Sequence, residues 1–99
     1  MTREPTYSFV PADQVKRKAK HRPHPAELLN ISRNHRVEVM LQDEFGRSEP
    51  VYIKAGQIVD FRLMGVLDTQ PERTSTGLQW GDVLNVPLEA ILTVTEYRE

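Results

Sequence analysis

The sequence contains no cysteine. Disulfide bonds and thiolate chemistry are therefore excluded, which fits a reducing compartment. No stretch approaches the roughly 18–20 apolar residues of a membrane-spanning helix, and no apolar run of the signal-peptide type is present at the start. We therefore expect a cytoplasmic protein, or a virion component if a virus encodes it, without a membrane partner.

Motifs of the common catalytic sites are also missing. The sequence has no nucleophile elbow, no glycine-rich phosphate loop and no metal-ligand spacing. Two carboxylate pairs, Asp60 with Glu49 and Asp68 with Glu72, are the candidates for acid–base chemistry, but no other feature of the sequence supports that role. We expect no enzymatic activity, no catalytic residue, no cofactor and no small-molecule substrate.

The histidines do not form a metal-binding pattern. A metal site needs three or four converging ligands. His21 and His24 lie in a proline-rich stretch among lysines and arginines, where the local field repels a cation, and His35 follows further along the chain. We interpret all three as solvated or phosphate-contacting side chains and expect no metal.

Charge is abundant in this sequence and is sorted by position. Residues 1–36 have a net charge of +5 and residues 37–99 a net charge of −6, although the whole chain is at −1. Such asymmetry indicates an electrostatic partner for the basic part: the phosphates of a nucleic acid, or an acidic protein surface that another copy of the chain could supply. A solvated arm is the remaining interpretation. The basic patch consists of Lys16, Arg17, Lys18, Lys20, Arg22, Arg33 and Arg36.

Prolines divide the chain into two parts. Pro23 and Pro25 disfavour a continuous helix, so we assign residues 1–25 to a basic N-terminal arm and linker, and residues 26–99 to one small domain. Within the arm, Tyr7 and Phe9 at alternate positions indicate either an extended segment that anchors an interface or a frayed terminus. Short helical stretches are predicted after Pro11 and after Pro25.

Alternating apolar residues dominate the sequence after His35. The pattern predicts strands with a turn around Gly46, an interruption at Ala55-Gly56, a bend at Gly65 and a loop over 68–77. The predicted strand segments are 37–42, 51–54, 58–67, 78–80, 83–86 and 91–97, with a tight turn at 87–90.

The end of the chain adds a resemblance to a known fold. The segment VPLEAI (86–91) resembles the strand, one-turn 3₁₀ helix and strand that end SH3-like and Sm-like barrels. The resemblance implies a mainly β protein: a small five-stranded barrel with an extended or partly helical basic N-terminal arm. A small β-sandwich is the alternative. No binding residue follows from this layout, because such folds have many unrelated functions.

Trp80 is the only tryptophan and follows the predicted loop. We expect it in the core or capping one barrel end, with an interface anchor as the alternative. Taken together, the sequence predicts a non-enzymatic small β-barrel adaptor or structural module. It would dock into a larger assembly, for example a viral particle or a ribonucleoprotein, through its basic arm. The alternative is a nucleic-acid-binding regulatory protein that uses the Lys/Arg arm on phosphates.

Overall fold

The described part of the chain forms one curled antiparallel sheet. The computed structural model describes residues 7–15 and 25–96. One α-helix, α1 (Pro25–Leu29), and two 3₁₀ turns, at Ala12–Gln14 and Leu88–Ala90, accompany the strands in these ranges. The strands are β1 (Tyr7–Val10), β2 (His35–Asp43), β3 (Ser48–Val59), β4 (Arg62–Leu67), β5 (Val83–Pro87) and β6 (Ile91–Glu96).

The sheet order is β1–β2–β3–β4–β5. β6 also pairs with β2: β1 lies along residues 40–43 of β2, and β6 lies along residues 35–39. All these pairs are antiparallel, and the sheet curls into a half-barrel. The prediction of a mainly β protein with a small-barrel layout is confirmed at this level. The described residues form six strands instead of the predicted five, because β1 within the predicted arm joins the sheet. The described strands belong to one sheet, whereas the alternative β-sandwich needs two stacked sheets.

Alternation places the core on the inner face of the sheet. Val37, Val39 and Leu41 of β2 are fully buried, and Val39 and Val37 pair with Val51 and Ile53 of β3. Each fully buried aliphatic side chain of this size stabilises the fold by about 1.5–3 kcal/mol. The remaining members of the buried cluster are Ile31, Ala55, Leu63, Leu67, Leu84, Val86, Ala90 and Ile91.

The continuous strand predicted over 58–67 is wrong. β3 ends at Val59, and the chain reverses through Asp60 and Phe61 into β4. Both turn residues have a positive φ, of 51° and 61°, as a two-residue type I′ hairpin turn requires. The usual Asn-Gly marker is absent, and the alternation from Val59 to Leu63 continues through the turn, so the sequence looks like one strand.

The interruption predicted at Ala55-Gly56 is confirmed as an irregularity in β3. The register with β4 shifts between Ala55 and Gln57. A Cβ atom on Gly56 would lie 2.7 Å from a carbonyl oxygen of β4, and one on Gly65 would lie 2.7 Å from a carbonyl oxygen of β3. Neither position has room for a side chain, so the two glycines allow the close approach of the strands at this bulge.

The strand predicted at 78–80 is not formed. The backbone N–H of Gln79 donates to Asp82 Oδ2 at 2.8 Å, and that of Trp80 donates to Gln70 Oε1 at 3.1 Å. These donors bind side chains, so they are not available for a strand ladder. The segment forms a turn that leads into β5.

Other predicted elements are confirmed. The helix after Pro25 is α1, the tight turn at 87–90 is the 3₁₀ turn Leu88–Ala90, the last strand is β6, and residues 68–77 form a loop. The helix predicted after Pro11 is limited in the described residues to the 3₁₀ turn. Among residues 7–15 and 25–96, no helix has the length and apolar character needed to cross a bilayer.

Candidate docking surfaces

The loop 68–77 is attached to the sheet through Glu49, near the start of β3. This side chain points to the inner face and is buried, with 6% of the residue exposed. Its Oε1 accepts the backbone N–H of Glu72 at 3.1 Å. Its Oε2 accepts the N–H of Arg73 at 3.0 Å, and the N–H and hydroxyl of Thr74 at 2.7 Å each. One carboxylate therefore orders three consecutive loop residues.

Asp43, the last residue of β2, is the second carboxylate that holds this loop. Its Oδ1 accepts the backbone N–H groups of Phe45 and Arg47 at 3.0 and 2.9 Å. Its Oδ2 accepts the N–H of Ser75 at 2.9 Å and the Arg47 Nε at 3.0 Å. Asp43 therefore joins the β2–β3 turn to the long loop.

Both carboxylates are held in their charged form. Burial by itself raises the pKa of Glu49, but the bonds donated by the Thr74 hydroxyl and by three backbone N–H groups lower that pKa below its ordinary value. Burial likewise raises the pKa of Asp43. The donors from Ser75, Arg47 and Phe45 more than offset it, so the pKa of Asp43 also lies below its ordinary value.

Sequence reasoning did not identify the role of these two carboxylates. The pattern that would have placed Asp43 is the alternation of β2, since Val39, Leu41 and Asp43 all face inward. The proposed pair of Glu49 and Asp60 is not brought together, because the two residues lie at opposite ends of β3. The carboxylates of Asp43 and Glu49 instead accept hydrogen bonds from the loop 68–77.

Trp80 lies at the surface, with 67% of the residue exposed. The expectation that it lies in the core is wrong. Its indole Nε1–H donates to Asp68 Oδ1 at 3.1 Å, and its backbone N–H donates to Gln70. The ring is therefore exposed yet fixed in position, which reduces the entropy that a partner must remove on binding.

Acidic groups concentrate at the same end of the half-barrel. We call residues 43–49 and 68–82 together the loop end; they carry six acidic and two basic side chains, a net charge of −4. Arg47 pairs with Asp43. The carboxylates of Glu49, Asp68 and Asp82 accept hydrogen bonds from neutral groups. Their charges therefore contribute to a negative potential at this end.

Most of the predicted basic patch lies outside the described residues: Lys16, Arg17, Lys18, Lys20 and Arg22. Arg33 and Arg36 are described. Arg36 is next to Lys54 in the β2–β3 register, and its guanidinium lies 4.6 Å from the centre of the Tyr52 ring. At about 3.3 Å per residue, Arg36 is about 23 Å along β2 from Asp43. The described basic residues of the patch and the loop end are thus separated along the sheet.

The outer face of the sheet forms a second surface. Arg36, Lys54, Val66 and Val83 are successive neighbours across β2, β3, β4 and β5. Val66 and Val83 are exposed, at 40% and 67%. A shallow groove of about 350 Å³ beside them is lined by Arg33, Gly56, Gln57, Met64, Gly65, Val66 and Val83.

The other predicted anchors, Tyr7 and Phe9, lie on β1. They pair with Asp43 and Leu41 in the antiparallel ladder to β2. Both are partly buried against the core, and their rings meet edge to face with 5.7 Å between centroids. In this chain these aromatic side chains pack against their own domain.

The histidines are expected to be solvated or to contact phosphate. His21 and His24 lie outside the described residues. His35 Nδ1 accepts the backbone N–H of Ser32 at 3.1 Å. Within 7–15 and 25–96, no group of three or more His, Asp or Glu side chains is arranged to hold a metal ion.

Comparison with known proteins found no matching family model, no matching curated protein and no matching solved structure. The function is therefore inferred from two features of the chain itself. One is the loop end, with its fixed Trp80 and its net charge of −4. The other is the basic patch, whose described members lie at a distance from the loop end along β2.

Proposed function

We propose that this chain is a non-enzymatic small β-barrel module that docks into a larger assembly, such as a viral particle or a ribonucleoprotein. Docking uses the basic residues of the N-terminal arm, which bind an acidic protein surface. The partner is a protein or another copy of the chain. Nucleic acid binding through the same side chains is the alternative.

The separation of charge is the observation that carries this proposal. Residues 1–36 have a net charge of +5, and the loop end alone has a net charge of −4. Opposite charges on different parts of a small protein steer association and set the orientation of partners. The loop end repels phosphate, so any nucleic acid would have to bind elsewhere on the molecule.

The lack of catalytic activity is also part of the proposal. Two of the three buried carboxylates of the described residues, Asp43 and Glu49, are occupied by hydrogen bonds from the loop and the β2–β3 turn. The third, Glu38, accepts the Thr93 hydroxyl. A general base needs a free lone pair near a substrate proton. Groups occupied in this way support a structural role.

We further propose that the half-barrel is of the SH3-like or Sm-like kind. Support comes from the strand path β6–β2–β3–β4–β5 and from the 3₁₀ turn between β5 and β6. The bulged, glycine-containing pair β3–β4 provides the bend that a small barrel needs. These features are consistent with the layout and do not by themselves specify a binding function.

The test is a pull-down from the native host with the full chain as bait, at low and high salt. The matched bait is an arm variant with Lys16→Ala, Arg17→Ala and Lys18→Ala, and each sample is split for nuclease treatment. We expect protein partners that survive nuclease, are lost at high salt and are lost with the arm variant.

Two results would contradict the proposal. If nuclease removes every arm-dependent partner, the basic arm acts on nucleic acid and the alternative function is correct. If the arm variant retains the same partners as the parent chain, the basic residues do not mediate docking.

A further inference from the structure

The loop end has the features of a binding surface for a basic peptide. Trp80 exposes its ring while two hydrogen bonds fix its position. The carboxylate of Asp68 contacts the indole, and Glu44 and Glu72 are exposed elsewhere in the loop end. An exposed aromatic ring among carboxylates is a favourable site for lysine and arginine, which combine ion pairing with cation–π contact.

The chain itself contains a peptide of the complementary composition. Residues 16–22, KRKAKHR, carry five basic side chains and no acidic one. We call these residues the basic segment. Its charge of +5 faces a charge of −4 at the loop end, so the two nearly neutralise each other.

We propose that the loop end of one copy binds the basic segment of a second copy, with the Trp80 ring accepting a lysine or arginine side chain. This inference rests on the proposed function and names the acidic partner as the chain itself. The contact joins two different surfaces. If two copies exchange their basic segments reciprocally, a closed two-fold dimer forms, and if each copy binds a different neighbour, rings or open filaments form.

Chain length favours a second copy over the same copy. The flanks of the basic segment adjoin one groove, which is lined by residues 11–14 on one side and by Leu28, Leu88 and Ile91 on the other. Ile91 pairs with Val39, four residues before Asp43. Residues 15–24 link the two flanks of the groove, and ten extended residues span about 33 Å. A path from the level of Val39 to that of Asp43 and back takes about 26 Å of this length. Too few residues remain to lie along the loop end.

The experiment measures the mass of the full chain in solution by light scattering or sedimentation, over a range of concentrations. We expect self-association that rises with concentration and falls between about 0.05 and 0.5 M salt, because screening weakens exposed charge pairs. Trp80→Ala is expected to weaken association about 2- to 30-fold, as the loss of a cation–π contact predicts.

Mixing two variants gives the decisive result. The arm variant keeps an intact loop end, and a loop-end variant with Glu44→Gln and Glu72→Gln keeps an intact basic segment. Each alone should be monomeric, and an equal mixture should form a 1:1 pair that grows no further. A control with Asp60→Asn and Glu89→Gln removes the same charge from exposed sites outside the loop end and should associate as the parent chain does.

Three results would overturn the inference: a parent chain that is monomeric at every concentration, a mixture that does not pair, or a control variant that is as impaired as the loop-end variant. Circular dichroism confirms that each variant is folded. If the chain is monomeric while the arm-dependent pull-down still succeeds, only the self-association inference fails. If neither works, the docking function itself is wrong.

Discussion

Glu49 is a residue on which the order of the loop 68–77 depends. Its carboxylate accepts the N–H groups of three successive residues and one hydroxyl. A buried donor that loses its acceptor costs about 1–3 kcal/mol. The same carboxylate supplies one of the negative charges at the loop end, so this residue links the stability of the loop to the proposed docking surface.

We predict that Glu49→Gln destabilises the protein by about 2–3 kcal/mol. The amide keeps the size of the side chain but directs an NH₂ group toward loop N–H donors, so at least one of these partly buried donors loses its partner. Urea unfolding measures the change. Glu89→Gln, at an exposed site, is the matched control and should change stability by less than about 0.5 kcal/mol. An equal effect of the two substitutions would show that Glu49 does not hold the loop.

At the scale of single elements, the β3–β4 hairpin combines a tight turn with an unfavourable sequence. Phe61 has a φ of 61° and is 78% exposed. A bulky residue in the left-handed region is strained, whereas asparagine and glycine adopt the two positions of this turn readily. Because the Phe61 ring is exposed, its packing against the described residues offsets little of the backbone strain.

We predict that the double change Asp60→Asn with Phe61→Gly stabilises the protein by about 1 kcal/mol. Relief of the left-handed strain at residue 61 is the main cause. The midpoint of urea unfolding should rise, and Phe61→Ala, which removes the ring but keeps the strain, should not raise it. A lower midpoint for the double variant would show that the Phe61 ring packs against the protein and offsets its strain.

The loop end is the element with a defined response to acid. Hydrogen bonds lower the pKa of Asp43 and of Glu49 below ordinary values of 3.8 and 4.5. A lowered pKa in the folded state adds stability that is complete above the ordinary pKa. This stability is lost as the pH falls through the folded-state pKa.

We therefore predict that the loop end loosens at acid pH, beginning below about pH 4. Protonation of the two carboxylates removes acceptors from residues 72–75, so hydrogen exchange at those amides should rise before exchange in β2 and β3. The emission of Trp80, the only tryptophan, provides a second reading. The control is exchange at the Asp60 turn, which neither carboxylate contacts. If the loop and the central strands open together, the loop end is not an independently titrating element.

At the scale of the whole molecule, local sequence patterns predicted most of the strands, but they did not predict the contacts between segments that are distant in sequence. The alternation of Val37, Val39 and Leu41 is visible because one face of β2 is buried. The β3–β4 turn was missed because strained residues replace its usual marker. The roles of Asp43 and Glu49 in holding the loop were missed for another reason: the loop residues that bind them are some 23 to 32 positions away in sequence.

The position of β1 shows the same limitation. Charge and proline content group residues 1–25 as an arm, but Tyr7–Val10 pairs with Met40–Asp43 of β2. Partly buried Tyr7 and Phe9 pack against the core. Composition gives the charge of a segment, whereas the pairing of a strand depends on which strand of the sheet has unpaired backbone groups. The basic segment thus follows a strand of the sheet.

Deletion of residues 1–10 tests whether β1 is part of the folded domain. We predict a loss of about 2–4 kcal/mol in the free energy of unfolding, because the deletion removes the β1–β2 ladder and two partly buried aromatic side chains. Urea unfolding of the shortened chain measures this loss. Deletion of residues 1–6 leaves β1 in place and is the matched control. The variant with Tyr7→Ala and Phe9→Ala keeps the strand, so its difference from the deletion measures the contribution of strand pairing. An unchanged midpoint on deletion of residues 1–10 would show that β1 is a detachable part of the arm, and the basic segment would then have only α1 to fix its position.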